Sequence, residues 1–396
     1  MGSRVSFRIA ASITLVLGVA AMTPIDAGNP APDFGQPLAG LPADLLQRFD
    51  DGKDEFEAVE TPEEGVGPVF NDVSCANCHN VAATGGGSAT LETRFGTTAA
   101  DGSFDPLSGF GGSLMQSQGI GAAGDCEYLA EIVPGEATIT AFRRTTPLFG
   151  LGLVDNVPDA TFYAIAADEA GNPDGIGGIV SVVTNLSTGQ DAVGKFGWKG
   201  QNPTLFQFSG DAYVNEMGIT SPQFPDENCP QGDCDALSCN PAPGLNDDGE
   251  DVQKFADFMT FLAPPPRGPI NGQVIFGQSV FVNLGCASCH KADLKTGPNT
   301  IAAFNQVRFH PYSDFLLHDM GSLGDGITQN QATGKLMRTA PLWGLRRVTT
   351  YLHDGRATTL RDAIVAHDGQ GKKARNRFLQ LPSYKKSWLY AFLNSL

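Results

Sequence analysis

Histidine is scarce in this chain, six in 396 residues, and so is positive charge: 26 Lys and Arg stand against 43 Asp and Glu, for a net charge of −17. The deficit argues against a nucleic-acid partner, whose phosphates call for a basic surface. It suits a solubilising field or an encounter with a basic protein. Long apolar runs are missing too, apart from residues 9–22, which follow Arg4 and Arg8 and lead through Ala20 and Ala21 to Ala27. That run is too short and too poorly flanked for a stop-transfer anchor. Residues 1–27 are therefore predicted to be a secretory signal, with export to the periplasm, no membrane anchor after cleavage and folding in an oxidising compartment.

With histidine so rare, its placement is informative. Cys75, Cys78 and His79 form one Cys-x-x-Cys-His unit, and Cys286, Cys289 and His290 form another. Two cysteines one helical turn apart can form thioethers to the two vinyl-derived carbons of a haem, and the next residue then supplies the proximal imidazole. The units predict two covalently bound c-type haems with proximal His79 and His290. A zinc site would need further soft ligands at compatible spacing, and a thioredoxin-like site would sit at a strand-to-helix turn. Val274, Val280, Phe281 and Leu284 precede the second unit at helical spacing, whereas Gly65, Gly67 and Pro68 shorten any such helix before the first. Cys126, Cys229, Cys234 and Cys239 remain, an even number that predicts two disulfides in one of three pairings, with a third metal centre as the rival.

Residues 264–266 are three prolines that cannot extend the helix expected just before them, so they read as a stiff link. The expected division is 1–27 signal, 28–265 N-terminal haem domain with a loop-rich insertion, and 266–396 C-terminal cytochrome c domain. The expected fold class is mainly α, with two cytochrome c-like domains. An internal repeat supports two related halves: FRRTTPLFGLGLV at 142–154 aligns without gaps to LMRTAPLWGLRRV at 336–348. Met337 stands where the other copy has Arg143. A thioether can ligate iron and a guanidinium cannot, so the second haem is expected to be six-coordinate through His290 and Met337, and the first to lack a distal protein ligand and admit a small oxidant. Met320 is the rival ligand, and a core methionine the plain alternative. Arg143 and Arg144 are candidates for haem propionates or surface ion pairs. His310, His318, His353 and His367 read as propionate contacts or structural histidines.

These units, the repeated R-T-x-P-L-x-G-L strings and YLHDGRATTLRDAI at 351–364 resemble the bacterial di-haem cytochrome c peroxidase superfamily, which includes MauG-type enzymes. More narrowly, GPVFNDVSCANCH, TPLFGLGLVD, FGWKGQ, NEMGITSP and PYSDFLLHDMG resemble the di-haem oxidoreductase family labelled peroxidase or thiol oxidoreductase. The resemblance implies Met337, four residues before Pro341, as the distal ligand. It also implies Trp198 on the electron route, with Gln207 and Glu216 facing hydrogen peroxide. These three stand nine apart, a slight departure from the family pattern, and WKGQ replaces its usual WDGR. Electrons would come from a small periplasmic donor of cytochrome c or cupredoxin type. Calcium at the domain interface is implied by analogy, although no contiguous acidic loop is visible. Oxidation of a partner protein in the MauG manner and plain electron carriage are the competing functions.

Overall fold

Leu45, Phe49 and Phe56 share one helical face, and that face is buried. The helix they form is the first of ten among residues 32–396, which the computed structural model describes. In chain order these are α1 (Ala43–Glu57), α2 (Cys75–Cys78), α3 (Leu151–Asp155), α4 (Asp159–Glu169), α5 (Leu205–Met217), α6 (Glu250–Phe261), α7 (Gly272–Leu284), α8 (Leu360–Ala366), α9 (Lys372–Leu379) and α10 (Ser383–Leu393). Helix makes up 35% of the structure and strand 16%. The signal expected at residues 1–27 lies outside the described residues, among which no helix is long and apolar enough to cross a membrane.

Packing follows from aromatic side chains. Phe49 and Phe56 of α1 meet Phe258 of α6 with ring centroids 5.4 and 4.9 Å apart, and Tyr213 of α5 meets Phe255 edge-on at 5.0 Å. The main core built there also takes in Leu294, Phe309, Leu316 and Trp343, so it draws on both sides of the proline link. A second core joins Val274, Phe281 and Leu284 of α7 to Phe378 of α9 and Leu389 and Phe392 of α10. The helix expected before the second Cys-x-x-Cys-His is α7, capped by the Asn271 side chain, which accepts from Val274 N.

The insertion after the first unit holds more than loops, which departs from the sequence expectation. Leu91–Thr98 is the central strand of an antiparallel sheet and pairs with Phe104–Asp105, Leu114–Met115 and Ile139–Arg144. Its register sets Glu92 opposite Arg143. In the second repeat, Leu336–Arg338 pairs with Leu317–Asp319 and sets Met337 opposite His318. Both repeat strings thus run from the end of a strand through a proline to a glycine with positive φ, Gly150 at 71° and Gly344 at 74°. Pro264 packs on the first and Pro265 on the second.

The four remaining cysteines pair as Cys126–Cys239 and Cys229–Cys234, which resolves the three alternatives. Helices α7 and α10 touch so closely that a Cβ on Gly277 would lie 2.0 Å from the Trp388 carbonyl oxygen. Gly277→Ala is accordingly expected to cost about 1–3 kcal/mol, read as a lower denaturant midpoint at an unchanged m-value.

Candidate functional site

The two Cys-x-x-Cys-His units fold alike. His79 N donates to Cys75 O and His290 N to Cys286 O, each at 3.0 Å, so one helical turn brings both cysteines and the imidazole together. Each imidazole is then fixed by a backbone carbonyl: His79 Nδ1 is 2.9 Å from Gly86 O, and His290 Nδ1 is 3.0 Å from Tyr312 O. Burial lowers both histidines to about 4, so the rings are neutral, Nδ1 carries the proton, and Nε2 keeps its lone pair. A metal-ligating histidine needs that tautomer. The four cysteines are free, and burial pushes Cys75, Cys78 and Cys286 up to about 12 and raises Cys289 as well. Such thiols are poor nucleophiles at neutral pH, unlike those of a thioredoxin-type site.

Each unit opens on its own cavity, of about 500 Å³ beside His79 and about 270 Å³ beside His290. Arg144, Thr146, Gly197, Trp198 and Phe208 line both. Trp198 therefore stands in the shared wall. Its Nε1 donates to Arg144 O at 2.9 Å, and its ring meets His353 edge-on at 6.2 Å.

The first cavity is rich in buried charge. Glu92, Arg94, Arg143, Asp211 and Glu216 line it, while Met217 and Met259 on its wall belong to the apolar core. Glu216, near the end of α5, accepts from Asn71 Nδ2 at 2.9 Å, and its backbone carbonyl accepts from Asn71 N at 2.7 Å. The loop that leads into Cys75 is thereby tied to α5. Burial, reinforced by the negative charge of Glu92, pushes Glu216 up to about 8. Burial alone would raise Glu92 too, but Arg94, 3.0 Å away, and Arg143, 3.9 Å away, outweigh it and hold Glu92 low. The two carboxyls share a hydrogen bond, with the proton on Glu216. Glu92 was not singled out from sequence. The available signal was the alternation in Leu91–Thr98, which sets Glu92 and Arg94 on one face of the strand.

The structure brings Gln207 to the same cavity but occupies its amide elsewhere: Oε1 accepts from Leu186 N at 2.9 Å, and Nε2 donates to Thr184 O at 3.3 Å. Arg143, 1% exposed, is bound to Asp325 by contacts of 2.6 and 2.8 Å and to Gln329, so it is a buried ion pair rather than a surface one. Lys199 completes that cluster, 2.8 Å from Asp325.

The second cavity is lined by Met320, Met337, His318, His353 and His367. Met337 is buried in its strand, 6% exposed. His318 is committed to Asp314 at 3.0 Å and Gln370 at 2.8 Å, and His367 donates to Ala363 O. His310 is exposed beside Asp293 and lies outside both cavities. Among the described residues, Cys289, Asp314 and His318 are the one trio of potential metal ligands with mutually close donor atoms. A thiol and an imidazole suit calcium poorly.

A model of the family "Di-haem oxidoreductase, putative peroxidase" matches residues 131–396. Similar solved structures include a Kuenenia stuttgartiensis hydrazine synthase under 20 bar xenon (15% identity over 95% of this chain and 99% of that one, TM-score 0.42). A MauG-like protein associated with microbial copper homeostasis matches at 13% identity over 95% of each chain, TM-score 0.42. The diheme peroxidase BthA from Burkholderia thailandensis matches at 15% over 88% of this chain and 86% of that one, TM-score 0.39. No curated protein sequence matches the chain.

The coupling of Glu92 and Glu216 has a direct readout. A neutral buried carboxyl gives an infrared C=O band at pH 7, and the wild-type minus Glu216→Gln difference spectrum should show that band, separate from any contribution of Glu169 and Glu227, which burial pushes up to about 7. In Glu92→Gln, with the repelling charge gone and Arg94 and Arg143 left to favour ionisation, the band should titrate away at lower pH than in the wild type. A difference spectrum with no carboxyl C=O band assigns the proton elsewhere.

Proposed function

The chain belongs to the di-haem oxidoreductase family, so it carries two haem groups, and on that premise we propose an exported, peroxidase-like enzyme that reduces hydrogen peroxide at the haem beside His79 with electrons relayed by the haem beside His290. The observation that carries this reading is the pairing of two matched thiol–thiol–imidazole turns with two cavities that share the Trp198 wall. The donor sets fit c-type haem: Cys75, Cys78 and His79 would hold one, and Cys286, Cys289, His290 and Met337 the other. When bound, the haems supply one-electron redox couples that the side chains lack.

The chain's own residues divide the remaining work. The carbonyls of Gly86 and Tyr312 hold the two imidazoles in the ligating tautomer. Met337 offers a thioether in the second cavity, whereas its repeat partner Arg143 is kept by Asp325 and offers nothing to a metal. Glu216 stores a proton at neutral pH, with Asn71 donating to its Oε2 and burial, reinforced by the charge of Glu92, favouring the neutral form. Splitting peroxide heterolytically requires such a group, which delivers a proton to the departing oxygen and takes one from the other. Trp198, held at both its backbone carbonyl and its indole N–H, bridges the cavities at fixed geometry. Electrons enter from a small periplasmic donor of cytochrome c or cupredoxin type.

The test combines mass, spectrum and turnover on the exported protein. Two added macrocycles, a high-spin ferric component beside a low-spin Met-haem one, and peroxide consumption with a reduced cytochrome are expected. Glu216→Gln should cut that consumption by about 10²–10⁴ with both haems retained. Met337→Ala should abolish the low-spin Met-haem signature. Wild-type turnover in the first variant, or a wild-type spectrum in the second, removes the corresponding assignment. High-spin signal with oxidation of a partner protein and no cytochrome-driven turnover would favour the MauG-type alternative.

A further inference from the structure

The aligned repeat strings place a second pair of residues in equivalent positions, Arg144 and Arg338. Both are buried, 8% and 6% exposed. Both also grip one segment of chain: Trp198 Nε1 donates to Arg144 O, while Arg338 N donates to Trp198 O at 2.9 Å and Arg338 Nε to Gly197 O at 2.6 Å. The two residues thus flank the Gly197–Trp198 segment, Arg144 through its backbone carbonyl and Arg338 through its backbone N–H and its guanidinium. Arg144 lines both cavities and Arg338 the second.

Neither guanidinium is in an ion pair, although the charge of Asp314, which is hydrogen-bonded to His318, reaches Arg338. Arg143, next to Arg144, has Asp325, and Lys199 shares it, but no described carboxylate lies within 4.0 Å of Arg144 or Arg338. Their hydrogen bonds go to backbone carbonyls alone, Thr350 O for Arg144, Gly197 O and Thr339 O for Arg338. Arg144 Nε has no acceptor at all, and neither has Trp343 Nε1, in the second repeat string and on the wall of the second cavity. A buried cation left uncompensated is strongly destabilising, so folded proteins pair it with an anion. The missing anions should therefore come with the ligands. Haem carries two propionate carboxylates, and a planar guanidinium fork matches a carboxylate.

We propose that Arg144 and Arg338 are repeat-related cationic seats for the haem propionates, Arg144 between the two haems and Arg338 at the second. This rests on each cavity holding one haem. The seats orient each macrocycle about its thioether attachments and turn its carboxylates towards the wall that carries Trp198. Because a nearby positive charge disfavours ferric over ferrous iron, they also raise the haem potentials.

Optical redox titration of the holoprotein tests this without recourse to turnover. Arg338→Gln should shift the reduction equilibrium of the second haem about tenfold towards the ferric form, ~59 mV lower for a one-electron couple, and leave the first near its wild-type value. Arg144→Gln should lower both. Arg338→Lys and Arg144→Lys, which keep the charge, should stay much closer to wild type, with the Met-haem absorption monitored to confirm that Met337 remains bound. If either Gln variant fails to fold, the Lys variant at the same position decides for that residue. Unshifted potentials in the Gln variants, or Lys variants displaced by the full tenfold, would overturn the proposal. A wild-type protein with fewer than two haems by mass would instead overturn the reading of the cavities.

Discussion

The architecture of the site depends on one short segment, Gly197–Trp198, being bolted to both copies of the repeat. The first copy accepts from the indole N–H, and the second donates to the Trp198 carbonyl and through Arg338 to that of Gly197. Because strand ends supply these contacts, the cavities inherit their separation from sheet pairing: Ile139–Arg144 against Leu91–Thr98 on one side, Leu336–Arg338 against Leu317–Asp319 on the other. Backbone geometry of this kind varies little with side-chain motion. An aromatic ring held so is well placed to keep a fixed distance to either neighbour.

Charge then differentiates the halves. One substitution between the aligned strings, arginine for methionine, decides what the wall of each cavity can do. Arg143 is neutralised by Asp325 from the later part of the chain, and its other neighbour is Glu92 across the sheet. Glu92 in turn is kept ionised and imposes a proton on Glu216. A long-range ion pair is thus linked, through two side chains, to the protonation of a cavity carboxyl. The second cavity instead presents the thioethers of Met320 and Met337.

Local spacing made much of this legible. Each Cys-x-x-Cys-His unit and the apolar spacing that becomes α7 occupy short contiguous stretches, where chain geometry alone fixes what meets, and the two copies of the repeat, though far apart in the chain, align without gaps. What escaped was assembled across the chain. Glu92 sits in a largely polar strand that follows the glycine run at 85–87 and so resembles a loop, and its partners Arg143 and Glu216 come from a different strand and from α5. Gln207 shows the converse: its position at the cavity was implied by the family resemblance, but its amide is taken up by the backbone around Thr184 and Leu186, which no pattern near Gln207 announces.

The disposition of the eight cysteines has a consequence for timing. Four are closed into Cys126–Cys239 and Cys229–Cys234, which belong to a compartment where thiols oxidise. The other four are free, and on the proposed reading they reach that compartment unpaired. Once the chain has folded, burial leaves Cys75, Cys78 and Cys286, each up to about 12, almost wholly protonated at neutral pH, inert to exchange and equally closed to newly arriving reagents. On the proposed reading, maturation has to load these thiols on the open polypeptide, before the helices close around them; a chain that folds first would be sealed in an empty form.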